Sequence, residues 1–206
     1  MELGFFLLGA FAFGALKDAL ERERALSRTD QLTGVASRHA FFDRLEMETD
    51  RSRRDGGPIT VAYVDLDDFK VVNDTHGHAA GDAVLRRVAR AMTGLLRSTD
   101  FVARIGGDEF AIVLPGTDAA SGSRLLAELS ARLHEAAEGE PVSVSIGAIC
   151  FGPTEDDVDE LLRQADAEMY RVKSGGKKSV SVADRTRPTG AGPVGPEASM
   201  LRRYTG

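Results

Sequence analysis

Apolar residues recur at helical spacing in four stretches of the chain. Phe41, Phe42 and Leu45 mark the first, between Arg38 and Arg54, and "DGGP" ends it. Val84, Leu85, Val88, Met92, Leu95 and Leu96 mark the second, and Leu125, Leu126, Leu129 and Leu133 the third. The fourth carries Val158, Leu161, Leu162, Ala165, Met169 and Val172, with Thr154 and Asp157 before it at capping-box spacing. Strand patterns lie between the helices. "ITVAYVDLDDF", from Ile59, has apolar residues on both parities, which predicts a strand covered on both faces, and it closes on Asp65, Asp67 and Asp68. "DFVARI" and "FAIVL" predict two short strands joined by a turn at Gly106, Gly107 and Asp108. The alternation in "VSVSIGAI" predicts a strand exposed on one face. Strands and helices alternate while the hairpin adds antiparallel neighbours, so the expected fold is α/β (α+β), a mixed central β-sheet flanked by helices.

The ends follow other patterns. Leu3–Leu16, "LGFFLLGAFAFGAL", is an uncharged apolar run of fourteen residues between Glu2 and Lys17. As a helix it would reach about 21 Å, short of the roughly 30 Å of a hydrocarbon core. Three readings stay open for it: a shallow or truncated membrane anchor, a dimerising or docking helix, and a signal peptide, which the missing basic flank disfavours. "KDALERERALS", from Lys17, reads as a helical connector. After Val182, three prolines and four glycines with little apolar pattern predict a disordered tail. The expected organisation is therefore an N-terminal helix and connector at 1–28, one domain at 29–182, and a tail at 183–206.

Composition narrows the classes. The 206 residues are 42% hydrophobic, enough for one sizeable core. Twenty-six basic against 32 acidic residues leave a net charge of −6, so no nucleic-acid partner is indicated. The single cysteine, Cys150, excludes an internal disulfide and fits a reducing compartment, with burial as its expected role. The expected location is the cytoplasm, attached to the inner face of the membrane if residues 3–16 act as an anchor.

The acids carry the chemistry. Asp67 and Asp68, taken singly, are expected to be solvated. If the strand before Asp65 neighbours the hairpin, however, Asp65 meets Asp108 and Glu109, and close carboxylates repel unless a proton or cation lies between them. Hard oxygen ligands suit Mg²⁺ or Mn²⁺, and magnesium commonly completes its shell with substrate phosphates, which points to a nucleoside triphosphate. The glycines before Asp108 permit positive φ and a close approach of phosphates to the main chain. His76 and His78 lack the further ligands a zinc site needs, and His78 is expected to order its loop.

"RIGGDEF" resembles the signature turn of the GGDEF family, the diguanylate cyclases. The resemblance runs from about Thr29 to Ser179. "DQLTGVASR" is similar to the family's opening motif, "VDLDDFKVVNDTHGHAAGD" to its metal and guanine segment, and "ADAEMYRVKSGGKK" to its closing helix. It implies a nucleotide-cyclase or polymerase-palm type of fold and condensation of two GTP into cyclic di-GMP with release of pyrophosphate. By the same resemblance Asp65 and Asp108 would hold two metal ions per active site, with the carbonyl of Leu66 as a ligand and Glu109 assisting. Asn73 and Asp82 would hydrogen-bond guanine, His78, Gly106 and Gly107 would adjoin the substrate, and Lys70, Lys173 and Lys177 would face phosphates. Asp82 can accept from the guanine N1–H and amine, which favours GTP over ATP. The family pattern usually has arginine where Lys177 stands, which reduces a bidentate phosphate contact to a point charge. Lys173, Lys177 and Lys178 also suit a simple complement to a helix dipole.

"RSTD", Arg97–Asp100, lies five residues before Gly106, where the resemblance implies an inhibitory site for the product. A symmetric product made from one GTP per domain implies a homodimer, which the connector could promote. Two alternatives come from other classes: a catalytically silent receptor that binds cyclic di-GMP through Arg97 and Asp100 and signals by protein contact, and an anchored scaffold whose nucleotide site only stabilises the fold. Turnover of GTP separates them from a cyclase.

Overall fold

The computed structural model describes residues 27–137, 142–154 and 156–186. The apolar segment at 3–16, the connector before Ser27 and the tail beyond Thr186 lie outside the described residues.

Six strands form one mixed sheet. In chain order the elements are β1 (Ala36–Ser37), α1 (Arg38–Asp55), β2 (Ile59–Asp67), α2 (Phe69–His76), α3 (His78–Leu95), β3 (Phe101–Arg104), β4 (Glu109–Pro115), α4 (Ala119–Ala136), β5 (Ser143–Phe151), α5 (Val158–Ser174) and β6 (Val180–Asp184). The sheet order is β1-β3-β4-β2-β5-β6. β3–β4, β4–β2 and β2–β5 are antiparallel, whereas the edge pairs β1–β3 and β5–β6 are parallel. β2 thus lies between the hairpin strand β4 and β5, so the acids at its end are brought beside the hairpin turn.

Alternation along β2 separates two cores. Ala62, Val64 and Leu66 join Val84 and Val88 of α3 and Leu126 and Leu129 of α4 on one face. Ile59 and Val61 join Phe41 and Leu45 of α1 and Leu161 and Ala165 of α5 on the other. Asp65 continues the parity of Val61, so it emerges on the face that α5 covers.

Several sequence expectations change here. β5 is buried at every residue rather than exposed on one face, because β2 and β6 flank it and helices cover both sides. Its serines read as a solvent face but hydrogen-bond within the protein. The N-cap of α5 is Asp157, whose Oδ1 accepts from Glu160 N at 2.8 Å; Thr154 instead accepts from Asp156 N at 3.1 Å. The N-cap is therefore three residues further along than expected. β6 carries order to Asp184, two residues beyond the apolar pattern, through parallel pairing with β5. The sequence pattern also passes over β1 and α2, both too short to show a period. Cys150 is fully buried, and burial raises its thiol pKa.

Candidate active site

A cavity of about 350 Å³ opens between α2, α3 and the β3–β4 turn, lined by Phe69, Lys70, Asn73, His78, Asp82, Leu85, Arg104, Gly107 and Asp108. Six of the residues named from sequence meet there: Lys70, Asn73, His78, Asp82, Gly107 and Asp108. Phe69 and Leu85 are buried and supply apolar walls for a flat ring. Asp82 is paired only at 3.9 Å, with Arg86 one turn along. Gly77, at φ 82° and ψ 162°, ends α2 and starts α3, which lets the two short-linked helices face one cavity.

The other acids lie on the α5 side of the turn. Asp65 pairs across the sheet with Glu109, and Leu66 N donates to Asp108 O at 3.2 Å. The Leu66 side chain is core, so only its main chain is available to the site. Asp65 is 6% exposed, and its Oδ2 lies 2.6 Å from Lys173 Nζ. Burial raises the Asp65 pKa, Lys173 opposes the rise, and Asp108 and Asp67 reinforce it. Glu109 is raised as well, first by burial and then by Asp65 and Asp108. Asp65 and Glu109, whose charges are disfavoured by burial, by each other and by Asp108, together with an ammonium already drawn in between α5 and β2, form a place that attracts cations.

A divalent cation fits this donor set. Asp65, Asp108 and Glu109 are hard oxygen ligands, and Lys173 stands in as a positive charge. Among the described residues, no three His, Cys, Asp or Glu side chains are gathered closely enough to hold a metal ion unaided. The protein alone therefore offers an incomplete ligand set, as Mg²⁺ sites closed by substrate phosphates do.

The glycines of the turn do not take the backbone conformation expected of them. Neither Gly106 nor Gly107 has positive φ. At Gly106 a Cβ would lie 2.4 Å from Glu109 Oε2, so the missing side chain makes room for the carboxylate. Gly107 is open, and its carbonyl accepts from Arg104 Nε at 3.1 Å and Nη2 at 2.6 Å.

Arg104 and Asp30 brace the site and were not singled out from sequence. Arg104 Nη1 reaches Asp30 Oδ1 at 3.3 Å while its other nitrogens hold Gly107, so the guanidinium clamps the signature turn to the start of the domain. Burial works against the Asp30 charge, but the Thr33 hydroxyl and amide and then Arg104 outweigh it, leaving its pKa lowered. A cation two residues before a glycine pair, with an unassigned acid in the opening motif, was the available signal.

Asp67 is not solvated. It is 2% exposed and accepts from Ser143 Oγ at 2.8 Å, Ser145 Oγ at 2.8 Å and Lys178 N at 3.4 Å. Asp68 is exposed but held by Lys177 Nζ at 2.8 Å, which raises the lysine pKa. Asp68, Lys177 and Lys178 all have positive φ, at 59°, 62° and 54°, so Asp67 and Asp68 together pin the strained loop after α5. Lys173 thus sits on an acid of the site and Lys177 on the neighbouring Asp68.

Arg97 and Asp100 form a closed turn. Asp100 N donates to Arg97 O at 3.0 Å and Asp100 Oδ2 accepts from Arg97 N at 2.9 Å, while Asp100 Oδ1 is buried without a partner. An orphaned carboxylate oxygen is costly unless a donor reaches it.

Comparison with known proteins places the chain in a family. Residues 27–179 match the family described as "Diguanylate cyclase, GGDEF domain". The chain is 40% identical over 174 residues to the diguanylate cyclase DgcP of Pseudomonas aeruginosa, covering 82% of this chain and 26% of that protein. It is 35% identical over 163 residues to the cyclic di-GMP phosphodiesterase PdeR of Escherichia coli, covering 77% of this chain and 24% of that protein. The coiled coil and GGDEF domain of DgcB from Caulobacter crescentus, solved in complex with c-di-GMP, superposes with TM-score 0.71 at 31% identity, over 89% of this chain and 100% of that one.

The mixed six-stranded sheet flanked by helices is thus the fold of a GGDEF domain. This chain belongs to the diguanylate cyclase GGDEF domain family. It spans about a quarter of the length of these two curated relatives.

Proposed function

We propose that this protein is a diguanylate cyclase, condensing two GTP into cyclic di-GMP and two pyrophosphates as a homodimer with one GTP per subunit. The observation that carries the reading is the cavity in which Lys70, Asn73, His78, Asp82, Gly107 and Asp108 meet beside the acids of β2 and β4. Asp82 and Asn73 take the guanine edge, where a carboxylate accepts from N1–H and the amine that adenine lacks. Gly107 leaves open space for the phosphates, and Lys70 at the rim, with Lys173 and Lys177 from the α5 side, balances their charge.

In each half-reaction the ribose 3′-oxygen of one GTP loses its proton and bonds to the α-phosphorus of the other, and the bond to the departing pyrophosphate breaks. Two divalent cations held by Asp65, Asp108, Glu109 and the Leu66 carbonyl would lower the 3′-hydroxyl pKa and neutralise charge on the phosphates. Buried Asp65 is preset for this role by its strand, and Arg104 keeps the turn bearing Asp108 and Glu109 in place. With a divalent cation held at Asp65 in its place, Lys173 would be free to face phosphate.

Product inhibition at Arg97 and Asp100 is part of the reading and rests on the place of the "RSTD" turn five residues before Gly106. Arg97 supplies stacking and a phosphate contact, Asp100 an acceptor for guanine. Arg97→Ala should relieve inhibition; unchanged product affinity and turnover would remove this element. Membrane contact through residues 3–16 belongs to the proposal alone. Among the described residues, no helix is long and apolar enough to cross a membrane.

The test is incubation with GTP and Mg²⁺ and mass detection of products, beside Asp108→Ala. Cyclic di-GMP from the wild type, with a loss of at least about a hundredfold in the variant, is expected. No product from either, with cyclic di-GMP still bound, would favour the silent receptor.

A further inference from the structure

Gly81 lies buried inside α3, where glycine weakens a helix relative to alanine. The reason is a side chain from the preceding helix. A Cβ on Gly81 would stand 2.1 Å from Asn73 Oδ1, 3.0 Å from Asn73 Cγ and 3.0 Å from Phe69 Cζ. The Asn73 carboxamide therefore occupies the volume that any other residue at 81 would fill. Gly94, in the same helix, has nothing within 4 Å of its corresponding position. The clash is thus local to Asn73 and Phe69 and is not a general crowding of α3.

We propose that Gly81 is a positioning residue for purine recognition: its missing side chain lets the Asn73 carboxamide lie against α3 beside Asp82, so that both present polar atoms to one cavity. This rests on the reading of Asn73 and Asp82 as guanine contacts. A methyl group at 81 turns Asn73 away and leaves Asp82, the next residue in the helix, in place. Affinity for the guanine edge falls while the acids around Asp65 and Asp108 are untouched, so KM rises and kcat holds. A glycine needed only for helix packing would behave the same whatever residue stood at 73.

The experiment measures binding of an α,β-methylene GTP analogue, which cannot release pyrophosphate, and of its ATP counterpart. It uses the full chain as wild type, Gly81→Ala, Asn73→Ala, the double variant and Gly94→Ala. Gly81→Ala is expected to weaken the guanine analogue about tenfold, the size of one hydrogen bond left unmade, and to lower selectivity over the adenine analogue equally. It should add no further loss when Asn73 is already alanine, and Gly94→Ala should bind as wild type. Wild-type affinity in Gly81→Ala alongside weakened Asn73→Ala, or an undiminished loss from Gly81→Ala in the Asn73→Ala background, overturns the proposal alone. Wild-type affinity in Asn73→Ala overturns the guanine reading beneath it, and this proposal with it. Should Gly81→Ala not fold, the double variant decides: folding restored by removing the Asn73 side chain supports the proposal, and an unfolded double variant overturns it.

Discussion

Asp30 illustrates how much of the site depends on residues far from it in sequence. Its carboxylate binds Thr33 and Arg104, and Arg104 in turn holds the Gly107 carbonyl, so one ion pair links the start of the domain to the signature turn. The side chains are 23% and 16% exposed, which limits solvent screening. Asp30→Asn should destabilise by about 1–3 kcal/mol at neutral pH. The pH dependence follows from the lowered pKa. A depressed folded-state value contributes stability that is present above the ordinary aspartate value of 3.8 and is lost as pH falls through the folded value beneath it. Urea titrations of wild type and variant should therefore differ by a constant amount near neutrality and converge in acid; a gap that persists in acid would deny the ion pair its role. Asp65, Asp108 and Glu109 were legible because acids at strand ends are conspicuous in one dimension. Arg104, Asp30 and Gly81 were not, since each acts through a neighbour that only folding supplies.

At the scale of elements, α5 on β5 decides where Lys173 stands. The helix approaches so closely that a Cβ on Gly147 would lie 1.9 Å from Met169 N and 2.5 Å from Glu168 C. Main-chain atoms cannot rotate aside, so Gly147→Ala should lift α5 and destabilise by about 3 kcal/mol, read as a fall in Tm and in the denaturant midpoint. Retained stability would mean that the helix shifts freely. Long periodic helices were visible in the sequence as α1, α3, α4 and α5. By contrast α2 has eight residues, with Phe69 and Val72 buried, too few to show a period, and it holds its place through its neighbours. β5 misled for a related reason: alternating serines suggest water, but both face the buried Asp67.

For the whole molecule, order in the sheet outweighs order in the chain. β2 lies between β4 and β5, which sets Asp65 opposite Glu109 although more than forty residues separate them. A cavity on one side of the turn and acids on the other are thereby brought next to each other. The symmetric product of the proposed reaction needs a second copy, so specific turnover should rise with protein concentration before levelling off. Sedimentation should show dimer over the same range, and removal of residues 1–26 should move both transitions to higher concentration. Turnover independent of concentration, with monomer throughout, would exclude the dimeric reading.

The amino-acid sequence alone determined the alternation of strands and helices, the two acidic clusters and the family, because period, turn residues and motif order are local properties that survive without contacts. Only the tertiary structure decided that Asp67 is held by the serines of β5 while Asp65 stands opposite Glu109, that Lys173 and Lys177 rest on carboxylates, that Gly106 and Gly81 make room for Glu109 and Asn73, and that Arg104 braces the turn. Those outcomes depend on which side chains share a volume or a charge, and strand order and helix approach, absent from any one-dimensional pattern, set both.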